Sequence, residues 1–175
     1  MADVVSVRRA TVDDAPDIAR VHARSWQAAY RGILPDDLLE RLSHEDRLPR
    51  WRQFLEGADT ASALVLVAVD AGRVDGFASL GPSRDDDLTG AGVMEVYGLY
   101  VDPDAWRRGL GGALMDAAAD QAAGSATTLV LWVMTSNLAG RRFYERRGMS
   151  PDGSAGFHDV MGTSIPVVRY RMPLG

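Results

Sequence analysis

The sequence predicts a mixed α/β (α+β) fold: one domain, with helices packed on a largely antiparallel sheet. Three observations carry this. Apolar runs follow the order strand, two or three helices, three strands, helix, strand, helix, then one or two strands. Two neighbouring strands are joined by Asp70-Ala71-Gly72-Arg73, a tight turn that makes an antiparallel hairpin. Finally, a strand from about Val93 to Val101 breaks at Asp102-Pro103-Asp104. It passes through Arg107-Arg108-Gly109-Leu110-Gly111-Gly112 into a helix. The 175 residues suffice for one well-buried α/β core and are short for two, so 1–175 reads as a single domain. No internal repeat, low-complexity run or linker interrupts it.

Taken in order, Val4 to Arg9 alternates and is β-branched, the pattern of a first strand. Thr11 to Asp14 offers helix caps, with Pro16 near the first turn. Ile18, Val21, His22, Ser25, Trp26 and Ala29 follow at helical spacing, and Gly32 suits the helix end. A short helix is expected from Pro35 to Leu42, and another from the cap Ser43 to about Leu55. Ala63 to Val69 and Val74 to Leu80 are the hairpin strands. The polar loop from Ser83 to Gly90 carries the run Asp85-Asp86-Asp87, read as a solvated loop or as a lure for a cationic amine. An alanine-rich helix runs from the glycine loop to about Ala123, followed by a strand from Thr128 to Met134. Ser136 is expected to cap a helix holding Phe143 and Tyr144 and stopped by Gly148. Met149 to Gly162 has no clear pattern, and Ile165 to Met172 alternates as a last strand.

Composition narrows the chemistry. Hydrophobic residues make up 46% and charged residues 25%, ordinary for a soluble globular chain. The net charge of −5 argues against a general nucleic-acid binder. There is no cysteine, so a disulfide framework, a thiol nucleophile and a thiolate metal site are excluded. His22, His44 and His158 give no H-x-x-x-H spacing for zinc. The N-terminal stretch lacks a secretory pattern, and no apolar run reaches the roughly 18 residues of a membrane span. The expected location is the cytoplasm, with no membrane partner.

The focal stretch is Gly92 to Leu114. A glycine-rich loop opening a helix after a strand presents unpaired backbone N–H groups and the positive end of a helix dipole, a site for phosphate. A Walker A loop needs a lysine that this loop lacks. A dinucleotide fingerprint fails at its third glycine, and LVLWVM ends without the ribose-binding acid.

The segment W-R-R-G-L-G-G-A-L resembles the acyl-CoA pyrophosphate loop of GNAT-type N-acetyltransferases. Arg108-Gly109-Leu110-Gly111 agrees with the family pattern [Q/R]-x-x-G-x-[G/A], and Trp106 stands where the family prefers Gln or Arg. Upstream, Leu99-Tyr100-Val101 and Asp102-Pro103 match its strand end and turn. Downstream, N-L-A-G-R-R-F-Y-E-R-R-G-M resembles its second signature, with Ala139 one place early and Asn137 and Tyr144 in place. Trp26 to Pro35, W-Q-A-A-Y-R-G-I-L-P, resembles a segment common in bacterial members. The resemblance implies a central, mixed, mostly antiparallel twisted sheet of six to seven strands flanked by helices.

It also implies roles. Arg107, Arg108, Gly109, Leu110, Gly111 and Gly112 would hold the pyrophosphate of acetyl-CoA, the cosubstrate. Leu99, Tyr100 and Val101 would line the pantetheine arm, Leu99 and Val101 through main-chain pairing. Tyr144 would donate a proton to the CoA thiolate. Asn137 would hydrogen-bond the arm, or else cap a helix. Glu95 shares a strand face with Tyr97, Leu99 and Val101, and is the candidate base through a water; an ion pair or an exposed edge is the alternative. Some relatives place the base on the next strand, where this chain has Trp132. Trp26 and Tyr30 would shape the acceptor pocket, or be helix core. No metal is implied.

The reaction so implied moves an acetyl group to a primary amine by direct attack in a ternary complex. The alternatives are an acyl-CoA sensor without turnover, or an acyltransferase using a larger thioester. The late strands of this fold often pair, so a homodimer is an expectation.

Overall fold

A computed structural model describes residues 5–57, 63–88, 90 and 92–175. The strands are β1 (Ser6–Arg9), β2 (Leu64–Asp70), β3 (Arg73–Pro82), β4 (Val93–Val101), β5 (Thr128–Met134), β6 (Ser150–Val160) and β7 (Thr163–Pro173). The helices are α1 (Ala15–Tyr30), α2 (Asp36–Glu40), α3 (His44–Glu56), α4 (Leu110–Ala123) and α5 (Leu138–Glu145). Val4, the expected start of the first strand, lies outside the described residues. The strands form one seven-stranded sheet in the order β1-β2-β3-β4-β5-β7-β6. It is mixed: β4 and β5 pair in parallel, whereas β1–β2, β2–β3, β5–β7 and β6–β7 pair antiparallel.

The chain clusters into two compact units, Met1–Leu80 with Gly98–Ala118, and Gly81–Tyr97 with Ala119–Gly175. In the first, the β2–β3 turn uses positive φ at both Ala71 (48°) and Gly72 (78°), the twist that suits a two-residue hairpin. Ile18 and Val21 of α1 pack on Val65, Val67, Val74 and Phe77 of the hairpin, with Trp51, Leu55 and Tyr100 against them. Ser43 caps α3 by accepting a hydrogen bond from the Asp46 N–H. In the second unit, Leu129, Val130 and Leu131 of β5 and Val167 and Tyr170 of β7 are buried. The unpatterned Met149–Gly162 tail is mostly strand, because β6 pairs with β7. Its side chains are largely exposed, which removes the apolar alternation that would have announced it.

All 19 basic residues are arginines. Most buried carboxylates meet one of them: Asp102 meets Arg20 and Arg24, Asp75 meets Arg73 and Asp70 meets Arg108. The fork of a guanidinium suits such pairing, which offsets the cost of taking a carboxylate out of water.

Candidate active site

The glycine loop is in the first unit. Arg107 (φ 65°) and Gly109 (φ 89°) both take left-handed backbone conformations, which turn the chain sharply into α4. The first hydrogen bond of the helix is from the Ala113 N–H to the Gly109 carbonyl, 3.0 Å. The N–H groups of Leu110, Gly111 and Gly112 therefore lie ahead of any intrahelical acceptor, and no acidic side chain occupies the first turn. This is the geometry of an anion site. Arg107 is exposed. The Arg108 guanidinium is engaged elsewhere, 2.6 Å from the buried carboxylate of Asp70, so it ties the loop to the end of β2.

The preceding turn is held from α1. Arg20 and Arg24 reach the buried Asp102, whose Oδ1 accepts a hydrogen bond from the Asp104 N–H. The Val101 carbonyl accepts from both Ser25 Oγ (3.0 Å) and the Trp106 indole (2.9 Å). Trp106, at the position where the resembled pattern prefers Gln or Arg, thus braces the strand end. The Val101 carbonyl is filled by two donors. The parallel register joins Val93–Val96 to Thr128–Leu131, and β4 runs on to Val101.

The side chain of Tyr100 enters an aromatic cluster with two of the other predicted residues. His22 lies 5.0 Å from Tyr100, 5.3 Å from Trp26, 5.8 Å from Trp51 and 5.7 Å from Phe77, ring centre to ring centre. Trp26 and Tyr30 stack 4.9 Å apart. Gly98 makes room: a Cβ there would meet the Tyr100 ring at 2.5 Å. His22, which had no visible partner in sequence, accepts a hydrogen bond from the Trp51 indole at Nδ1 (3.1 Å), with Arg47 Nη1 also in reach. Burial, aided by Arg47, pushes the imidazole down to about 3, so the ring is neutral with Nδ1 as acceptor. Burial pushes the Tyr30 phenol up to about 12 and that of Tyr100 upward as well.

Tyr144 and Asn137 are in the second unit, on α5 and at its N-cap. Asn137, rather than Ser136, caps the helix: its Oδ1 accepts from the Gly140 N–H at 2.9 Å. The capping alternative therefore holds for that oxygen, and the side-chain amide nitrogen is the part left to meet a cofactor. The helix is keyed to β7 by the fully buried Tyr170, which donates to Glu145 (2.8 Å) and accepts from Arg141 Nε (3.1 Å). These partners sit on either side of Tyr144 in sequence and fix the half-buried phenol's helix.

Glu95 is buried at 3% exposure and forms an ion pair. Its Oε1 is 2.8 Å from Arg84 Nη2, and its Oε2 accepts the Arg84 N–H at 2.9 Å. Each oxygen thus has one donor and keeps a further lone pair. Two acids of the run Asp85–Asp87 are paired rather than merely solvated. Asp85 and Asp87 pair with the buried guanidinium of Arg169, as does Asp152 of β6 at 2.6 Å. Arg169 sits on β7, and Trp132 of β5 donates to Asp85. The hydrogen bond to Asp87, with those to Asp85 and Asp152, overcomes burial and raises the Arg169 pKa. Trp132 thus has a structural partner at the position where some relatives keep a base. Among the described residues no group of three or more His, Cys, Asp or Glu could hold a metal ion, and no helix is long and apolar enough to cross a membrane.

Comparison with known proteins places these features. The acetyltransferase (GNAT) family model matches residues 23–149, which include the glycine loop, β4 and both Asn137 and Tyr144. YuaI of Bacillus subtilis, an uncharacterized N-acetyltransferase, is 34% identical over 137 residues, covering 77% of this chain and 74% of that protein. Two solved structures share the fold. The PaiA N-acetyltransferase of Thermoplasma acidophilum, in complex with coenzyme A, has a TM-score of 0.68 at 20% identity, covering 95% of this chain and 98% of its own. YncA of Salmonella typhimurium, a putative acetyltransferase with its cofactor acetyl-CoA, has a TM-score of 0.71 at 19% identity, covering 98% and 95%. With a family model spanning most of its length, the chain belongs to the GNAT acetyltransferase family.

Proposed function

We propose that the protein transfers an acetyl group from acetyl-CoA to a primary amine by direct attack in a ternary complex. The observation that carries this reading is the start of α4, where three successive main-chain N–H groups precede any helical acceptor and the first turn carries no acidic residue. These groups would hold the pyrophosphate. Arg107 adds charge nearby, while Arg108 acts through Asp70 by fixing the loop. The Leu99 main chain would pair with the pantetheine arm, its N–H polarising the thioester carbonyl as charge develops on oxygen. The amine nitrogen attacks that carbonyl carbon, the C–S bond breaks, and the thiolate takes a proton from the Tyr144 phenol. Glu95, through a water, takes the proton lost by the amine. Nothing passes through a covalent enzyme intermediate, and the absence of cysteine removes the commonest nucleophile for one.

The cradle is tested by Gly111→Asp. A carboxylate in the first turn of α4 favours the helix dipole, so folding stability should hold or rise by about 0.3–1 kcal/mol. The same carboxylate opposes a bound pyrophosphate, so acetyl-CoA affinity should fall about tenfold or more by calorimetry. Unchanged affinity in the folded variant would remove the loop from the cofactor site.

A further inference from the structure

Arg47 of α3 is a cation without a counter-ion. No carboxylate lies within ion-pair distance of it among the described residues, unlike the arginines that meet Asp102, Asp75 and Asp70. Its guanidinium stacks 4.6 Å from the centre of the Trp26 ring, and its Nη1 faces the neutral His22. In this stacked pair Arg47 Nε is buried with no hydrogen-bond acceptor, and the buried Trp26 Nε1 makes no well-formed hydrogen bond although the Tyr100 phenol is within its reach. Buried donors are nearly always satisfied in folded proteins, and leaving one unpaired costs about 1–3 kcal/mol. A buried, unpaired cation costs more. Both deficits fall beside Tyr30 and Tyr100, in the aromatic cluster that contains the two residues assigned to the acceptor.

From this juxtaposition we infer that the amine acceptor carries a carboxylate, which Arg47 and the Trp26 indole bind. The inference rests on the acetyl-transfer reading and narrows its substrate class to amino acids and related amino-carboxylates. One positive charge, the unpaired guanidinium N–H and the indole N–H match a monoanion with two acceptor oxygens. A guanidinium stacked on an aromatic ring is well suited to hold a planar carboxylate. A diamine without an acid group fits poorly, because it brings a second cation to an uncompensated one. His22 supports the arrangement from behind: kept neutral, it accepts from Trp51 and adds no competing charge.

The test uses the intact protein and acetyl-CoA, with leucine, phenylalanine, histidine and glutamate, the carboxamide of each, and 1,4-diaminobutane. CoA release gives kcat/KM, and calorimetry on the CoA-saturated protein gives affinity. The acid form should be preferred over its carboxamide, and Arg47→Met should reduce that preference about ten- to hundredfold, with Arg47→Lys keeping part of it. Taking the ratio between variant and wild type cancels the different basicities of acid and amide. Retained acetyl-CoA binding shows that each variant is folded. Turnover of carboxamides or diamine with no loss in Arg47→Met would overturn the inference and leave acetyl transfer standing. Acids that bind, weaken in Arg47→Met and are not acetylated would support the carboxylate site and sink the transfer reading. No binding and no turnover of any acid, with water alone satisfying the donors, would overturn the inference.

Discussion

His22 offers a sharp physical prediction, because its environment fixes both the sign and the size of a pH effect. Burial holds its imidazole at about 3, against 6.5 for the ordinary side chain. As pH falls below 6.5 the unfolded chain takes up a proton at this position, and the folded chain does not until about 3. The unfolded state therefore binds more protons, and stability falls with falling pH across that window. Between pH 7 and pH 5 the linkage amounts to about 2 kcal/mol. Protonation in place would cost the hydrogen bond from Trp51 and set a second cation beside Arg47. The assay is urea unfolding at several pH values for wild type and His22→Asn, whose carboxamide oxygen can stand in for Nδ1 but does not titrate. With a urea m-value of about 2 kcal/mol/M, the wild-type midpoint should drop by about 1 M over this range relative to the variant. Asp14, held low chiefly by Arg8, and Asp152, where hydrogen bonds from Ser154 and Arg169 outweigh burial, act in more acid solution. Below about pH 4 these carboxylates lose their contribution as they protonate. A gap between wild type and His22→Asn that stays constant from pH 7 to 5 would refute the reasoning.

Two further perturbations probe how the units are built. Arg169→Met leaves the buried carboxylate of Asp152 without its cation and removes the guanidinium partner of Asp85 and Asp87, so unfolding free energy should drop by about 3–5 kcal/mol in a denaturant titration. Gly98→Ala forces the Tyr100 ring from its place between His22 and Phe77, and should cost about 1–3 kcal/mol in the same assay.

Much of the fold was legible in the chain because its signals are local. β5 is a continuous apolar run, β4 is one broken only by Glu95 and Gly98, and Gly72 and Gly109 mark the hairpin turn and the loop that opens α4. The family's motifs likewise sit within short spans. What could not be read depends on partners distant in sequence. Asp87 looks like a solvated acid until Arg169, 82 residues on, is brought against it. His22 looks solitary until Trp51, 29 residues on, donates to it. β6 lacks a buried face and exists through its pairing with β7. The misplacement of the α5 cap by one residue, from Ser136 to Asn137, has a simpler cause: both are good caps, and local sequence does not choose between neighbours. Glu95 shows the same limit, since its strand position was evident and its partner Arg84 was not.

The most direct test of acetyl transfer through Tyr144 compares wild type with Tyr144→Phe. CoA thiol release is followed with acetyl-CoA and a panel of amines, while calorimetry tracks acetyl-CoA binding. Loss of the general acid should lower kcat about 10²- to 10⁴-fold and leave acetyl-CoA affinity nearly unchanged. Equal turnover by the two proteins would contradict the account.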